Sequence, residues 1–334
     1  MMKKLLCALV VMVFAFGSAQ AFVYVQPSDT IKASKIAKKA RKQETAGKTY
    51  KALTLYEQAA KMGLKSAQRW MADYYWNDVP PKPLSAMQWE EALAEQGDTA
   101  SQVLVGLIYF GVYEETVDVA KDEAKGTRYK KMAAEQGNVF AQYSYGYMLV
   151  NGAAVEQNER EGFDWLKKAA DQGDAVAQFY VDSCYYWGTG VTIDYEKAFQ
   201  YTKMAAEQGE ASAQYNLGHM FHFAEGVEKD LDEAIYWYSK VSEQRYDVAK
   251  NNLALAIEEK EGTSDEALFL LRKSADAGDE VAQYNLGCRY EDGSGVTQDL
   301  GMAKHWYSKS AENDYAPGQR QLGLLYLNPH CSSI

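Results

Sequence analysis

Apolar residues along most of the chain recur at steps of three and four. Over 213–223 they are Ala213, Leu217, Met220 and Phe221; over 232–242 they are Ala234, Ile235, Tyr238 and Val241. That period sets them on one face of an α-helix. Ala169 to Tyr201 (AADQGDAVAQFYVDSCYYWGTGVTIDYEKAFQY) shows how two such segments are joined. The first runs from Gly173-Asp174 to Trp187, the chain turns at Gly188-Thr-Gly190-Val191, and the second runs from Asp194 to Gly209. At Gly209 the pattern starts again.

The junctions align without gaps, from AAKMGLKSAQ (59–68) through AADQGDAVAQ (169–178) and AAEQGEASAQ (205–214) to SAENDYAPGQ (310–319). Their turn position falls at Gly63, Gly97, Gly137, Gly173, Gly209, Arg245, Gly278 and Asp314, with spacings of 34, 40, 36, 36, 36, 33 and 36 residues. A period of this size is two helices and two turns. Asp194, Asp230 and Asp299 stand where second helices begin and suit N-caps. Glycine at the junction suits the left-handed turn that closes a helix. A hairpin of this kind buries one face only against its neighbours, so it is stable as part of a stack.

Small residues recur four places after the junction glutamine: Gly106, Gly146, Gly218, Gly287 and Gly323, with Ala72 and Ala254 in the same register. Glycine inside a helix costs about 1 kcal/mol against alanine, so its repetition predicts helix crossings too close for a side chain. Three residues on come Tyr75, Tyr109, Tyr185, Phe221, Tyr290 and Tyr326, which are expected to fill the layer between repeats.

Residues 278–312 (GDEVAQYNLGCRYEDGSGVTQDLGMAKHWYSKSAE), and with them 173–209 and 209–240, closely follow the pattern of the Sel1-like repeat, a relative of the tetratricopeptide repeat. The resemblance covers about residues 47 to 327. It implies an all-α fold, an α/α superhelical solenoid of about eight helix-turn-helix repeats plus a terminal helix. The expected organisation is a leader at 1–21, a short extension at 22–30, a capping helix pair at 31–62, repeats over 63–313, and a capping helix and tail at 314–334. Departures mark irregular parts. Asn77 to Pro83 replaces the glycine turn with a proline-stiffened one, residues 113–120 carry an insertion, and Glu258 to Glu261 crowd a shortened loop. The final helix is expected at about Tyr315 to Leu327, ending before Pro329.

Composition adds the compartment and the kind of partner. With 334 residues the chain exceeds a single core, and 47% hydrophobic residues exclude global disorder. Lys3 and Lys4 precede an apolar run from Leu5 to Phe16 that is too short to span a bilayer, and Ala19-Gln20-Ala21 supplies the small residues of a signal-peptidase site. Cleavage after Ala21 is expected, with export to the periplasm or beyond. The net charge of −11 becomes −13 without Lys3 and Lys4, which argues against nucleic acid as a partner. The basic stretch Lys32 to Lys42 reads as the solvated face of the capping helix, or as a contact to an anionic surface. Of four cysteines, Cys7 leaves with the leader, and Cys184, Cys288 and Cys331 can form one bridge at most.

Candidate chemistry is sparse. Asp182 replaces the small residue at its crossing, beside Cys184. Either it lines a polar pocket with Tyr180, Tyr185, Tyr186 and Trp187, or the crossing is locally widened and Asp182 bonds to a neighbouring turn or to water. His219, His222 and Glu225 fall near one helix face, but the three-residue histidine spacing and the lack of a further ligand nearby argue against a metal. No cofactor, metal or catalytic residue is expected, since the sequence holds no nucleophile elbow, zinc-protease motif or phosphate-binding loop. The expected groove along the first helices carries Tyr143, Tyr147, Tyr180, Ser183, Asn216, His219, Asn285 and Arg289, with Asp182, Tyr186 and Trp187 beside them. Those residue types suit a protein or peptide. The resemblance implies a non-enzymatic scaffold. Its alternatives are penicillin binding or weak β-lactamase-like activity, described for cysteine-rich members, and glycan or peptidoglycan binding.

Overall fold

A computed structural model describes residues 27–78, 80–244 and 248–327. The expected leader, Cys7, Arg245, Pro329 and Cys331 lie outside these residues. Among the described residues there are 17 helices and no strand, which makes the fold the expected all-α helical-repeat solenoid. The chain divides into two compact units, one running to Gln172 and the other starting at Gly173.

The first unit holds α1 (Pro27–Thr45), α2 (Thr49–Lys61), α3 (Lys65–Asn77), α4 (Pro83–Glu95), α5 (Thr99–Tyr109), α6 (Glu123–Glu135), α7 (Val139–Asn151) and α8 (Glu159–Asp171). The second holds α9 (Ala175–Trp187), α10 (Tyr195–Glu207), α11 (Ala211–Phe223), α12 (Leu231–Ser242), α13 (Val248–Glu261), α14 (Asp265–Asp276), α15 (Glu280–Asp292), α16 (Leu300–Glu312) and α17 (Ala316–Leu327). Within each unit every helix packs on the helices that precede and follow it. Pairs α1–α2 to α15–α16 are the eight hairpins, and α17 is the terminal helix. The first helix starts at Pro27, four residues ahead of the expected Ile31.

The caps follow the sequence pattern. Asp194 Oδ1 accepts from the amide of Lys197 at 3.0 Å, Asp299 Oδ1 from Met302 at 2.9 Å, and Asp230 Oδ1 from Asp232 and Glu233. Such caps contribute typically ~1 kcal/mol each. At the junctions Gly173 has φ +93°, and even at the eighth, where glycine is missing, Asp314 adopts φ +59°.

The close crossings take two forms. In the first unit, glycine meets backbone: a Cβ on Gly146 would lie 2.8 Å from the Gly162 carbonyl oxygen and 2.8 Å from the Leu166 nitrogen. In the second, glycine accommodates a ring: a Cβ on Gly218 would lie 2.8 Å from Tyr238, and on Gly287 2.6 Å from Tyr307. Gly323 departs from expectation, for nothing lies within 4 Å of its would-be Cβ. It sits on α17, which has no second helix to cross. For the same reason Tyr326 is 63% exposed instead of filling a layer, while Tyr109 and Tyr185 are buried as expected.

A glutamine ladder ties the repeats together. The junction glutamine donates to a carbonyl of the preceding second helix, as Gln102 does to Ala94 at 3.0 Å and Gln214 to Ala206 at 3.1 Å. Its Oε1 then accepts from the residue before the next junction's turn position: Gln136 donates to Gln102 at 2.7 Å, Gln208 to Gln178 at 2.8 Å and Gln244 to Gln214 at 2.8 Å. Where Lys250 replaces the first glutamine, Ala277 replaces its partner, so the two columns depart together.

Glu258 to Glu261 require a correction. They form the last turn of α13, and the connection to α14 is only Gly262 to Ser264. Glu and Lys are good helix formers, and Gly262 ends the helix with φ +85°.

Candidate functional site

Asp182 lies on α9 and is 2% exposed. Its neighbours explain how a carboxyl is held where other repeats carry glycine. The position facing it is Thr202 of α10, 36 residues before Tyr238, so the glycine–tyrosine pair of the next hairpin becomes an aspartate–threonine pair. The Thr202 hydroxyl, which donates to the Ala198 carbonyl at 2.9 Å, and the Asn216 amide stand against the carboxyl, while Oδ2 has no hydrogen-bond partner among the described residues. Burial is the main cause that pushes the Asp182 carboxyl up to about 7, against the lowering effect of Thr202 and Asn216. Its partners are thus helix side chains from α10 and α11, not a turn.

Beside this carboxyl the surfaces of α9 and α11 leave a cavity of about 220 Å³. Asp182, Ser183, Tyr186 and Trp187 line it from α9; Tyr215, Asn216, His219 and Met220 line it from α11. Glu225, in the turn after α11, closes one side. His219 Nδ1 stands 3.2 Å from Glu225 Oε2. Tyr186 also hydrogen-bonds to Glu225, and burial first, then that bond, raises its phenol. Trp187 is 74% exposed at the rim, with its ring set against Tyr186.

Six of the eleven candidate positions therefore meet at one cavity: Asp182, Ser183, Tyr186, Trp187, Asn216 and His219. The others do not join them. Tyr180 is set edge-on to Phe179 and Tyr185 stacks on Tyr201, so neither lines the cavity. Asn285 donates to Asn251 at 3.0 Å, and Arg289 pairs with Glu258; both link α15 to α13. Tyr143 and Tyr147 form a tilted ring pair on α7 of the first unit. Three cavity residues were not among the candidates. Tyr215 and Met220 lie within the amphipathic pattern, and Glu225 lies in the turn.

The two α11 histidines part company. His222 is buried, its Nε2 faces Glu259 at 3.1 Å, and desolvation lowers its ring below the ordinary histidine range. Cys184 is buried and Cys288 half-buried, each as a thiol.

The profile described as Sel1 repeat matches residues 49–64, 65–98, 99–138, 139–174, 175–210, 211–246, 264–279 and 281–315. The chain belongs to the Sel1 repeat family. The cavity thus falls between the first helices of two consecutive Sel1 repeats, 175–210 and 211–246.

Solved structures agree. A protein of uropathogenic Escherichia coli, described as a protective antigen displaying an SLR fold, is similar at 29% identity and TM-score 0.57, over 90% of this chain and 72% of that one. A Sel1 repeat protein from Oxalobacter formigenes is similar at 24% identity and TM-score 0.61, over 96% of this chain and 99% of that one. No curated protein matches the chain. Sel1 repeats are a scaffold family that generally serves protein interaction. No helix among the described residues is long and apolar enough to cross a membrane.

Proposed function

We propose that this Sel1 repeat protein is an exported, non-enzymatic scaffold that binds a protein or peptide, and that the cavity between α9 and α11 grips one side chain of that partner. The observation that carries this reading is Trp187, 74% exposed beside a recess lined by tyrosine, asparagine and histidine. Exposed tryptophan and tyrosine next to a desolvated pocket are the residues on which recognition energy concentrates. Export rests on the leader pattern at 1–21, with Phe22 as the new N-terminus.

Selection of a random 12-residue peptide library against the protein, followed by counter-screening on Trp187→Ala, tests the binding reading. Peptides that lose at least tenfold in affinity on the variant support it. A protein that enriches no peptide, or peptides indifferent to Trp187, contradicts it. N-terminal sequencing of the expressed chain tests the export reading: Phe22 as the first residue supports it, and retention of Met1 opposes it.

A further inference from the structure

The cavity has a charge asymmetry that defines its occupant. Two carboxyls border it, Asp182 and Glu225, and no lysine or arginine does. Asp182 is buried and its Oδ2 has no partner among the described residues. An unpaired buried polar atom is unfavourable, and more so when charged. The groups facing it from each packed element bring no cation: Thr202 on α10, Asn216 on α11, and Glu210 at the start of α11, whose charge opposes ionisation of Asp182. The histidine lining the cavity, His219, stands against Glu225 instead. Tyr186 and Trp187 supply ring surface where the cavity opens.

We propose that this cavity receives the cationic side chain of a lysine or arginine from the peptide partner, with Asp182 and Glu225 as its counter-charges and the Tyr186 and Trp187 rings beside its stem. The proposal rests on the peptide-binding reading above. A cation satisfies the orphaned oxygen and favours the ionised carboxylate. Aromatic faces add cation–π attraction. An anion would meet two carboxyls, and an aliphatic side chain would leave Oδ2 unsatisfied. A net charge of −11 over the full sequence, −13 without Lys3 and Lys4, draws a basic segment in at long range.

Two measurements test it separately. In the first, aspartate carboxyl carbons are labelled with carbon-13 and the Asp182 resonance, assigned with Asp182→Asn, is titrated with and without n-butylguanidinium. Saturation is expected to move its titration at least one pH unit downward, and Asp182→Asn and Glu225→Gln are each expected to weaken the probe at least fivefold. An unmoved titration, or equal binding by both variants, overturns the proposal. In the second, peptides from the library selection are remade with citrulline for arginine or norleucine for lysine. A loss of tenfold or more supports the proposal. Peptides indifferent to that change overturn the cationic occupant and leave peptide binding standing. If no peptide is selected but n-butylguanidinium still shifts Asp182, the cation site stands and the peptide-binding reading falls.

Discussion

Asp182 on α9 faces Thr202 on α10 where, one repeat later, Gly218 faces Tyr238. The exchange replaces a small residue by a polar one on one helix and a large ring by a short hydroxyl on the other. Space and hydrogen bonding are thereby kept at the crossing. The cost lies in the carboxyl's charge, because burial disfavours its ionised form.

Stability should therefore depend on pH through this one group. Its folded-state pKa is raised to about 7, above the ordinary carboxylate value of about 3.9. The folded state holds the proton between those values and the unfolded state does not, so this group's contribution to stability falls as pH rises from about 4 to about 7. Asp182→Asn keeps the shape without the charge. It is expected to be more stable than the parent by on the order of 2–4 kcal/mol at pH 8, with the difference vanishing near pH 4. Chemical denaturation of both proteins at the two pH values checks this.

Two glycine-to-alanine changes should have opposite signs. At Gly146 the new Cβ would meet backbone atoms of α8 at 2.8 Å, which cannot swing aside, and a loss of about 1–3 kcal/mol is expected. At Gly323 the space is open and the residue is exposed within α17. Alanine there is expected to stabilise by about 0.5–1 kcal/mol through helix propensity. Denaturation midpoints of the two variants read the difference.

The glutamine ladder should show coupling. Gln102 is fully buried and serves both Ala94 and Gln136. Gln102→Leu removes the bonds to both partners, each with a net contribution of about 0.5–1.5 kcal/mol, and is expected to cost about 1–3 kcal/mol. Adding Gln136→Ala should cost less on that background than alone, by at least 0.5 kcal/mol in a double-mutant cycle.

Arg69 on α3 holds a polar network in the first unit. It reaches both oxygens of Glu90 at 2.9 and 3.0 Å, Asp98 at 2.8 Å and Ser101 at 2.8 Å. Glu90 is 2% exposed. Arg69→Ala leaves that carboxylate buried without its counter-charge, and a loss of about 3–5 kcal/mol is expected. Arg69→Lys should recover only part of it, since a single ammonium nitrogen cannot serve Glu90 and, as the second guanidinium nitrogen does, Asp98 and Ser101 together. Thermal unfolding of the three proteins side by side checks the order.

The repeat architecture was legible in the sequence because register repeats: Asp194, Asp230 and Asp299 cap helices, and Gly173 turns the chain, for the same local reasons in each copy. The polar stretch Glu258–Glu261 misled because charge alone does not separate an exposed helix turn from a loop. The site was half legible. Asp182 stands out as a departure in one column, and Thr202 is the matching departure in the facing column. Comparing the columns at Gly218 and Tyr238 together shows it. The same holds for the ladder, where Lys250 and Ala277 depart as a pair. Tyr180 falls outside the cavity lining and Tyr215 within it, a distinction the sequence does not make because neighbouring helix positions differ only in direction and packing against the next repeat selects between them.

The most direct test of peptide recognition at the α9–α11 cavity is an amide-resonance map of the protein with a library-selected peptide bound. The largest perturbations are expected at Ser183, Trp187, Asn216 and His219, with the Asp182 carboxyl shifting at the same peptide concentration. Perturbations centred on other repeats, with these residues unmoved, would contradict the assignment of this cavity as the binding site.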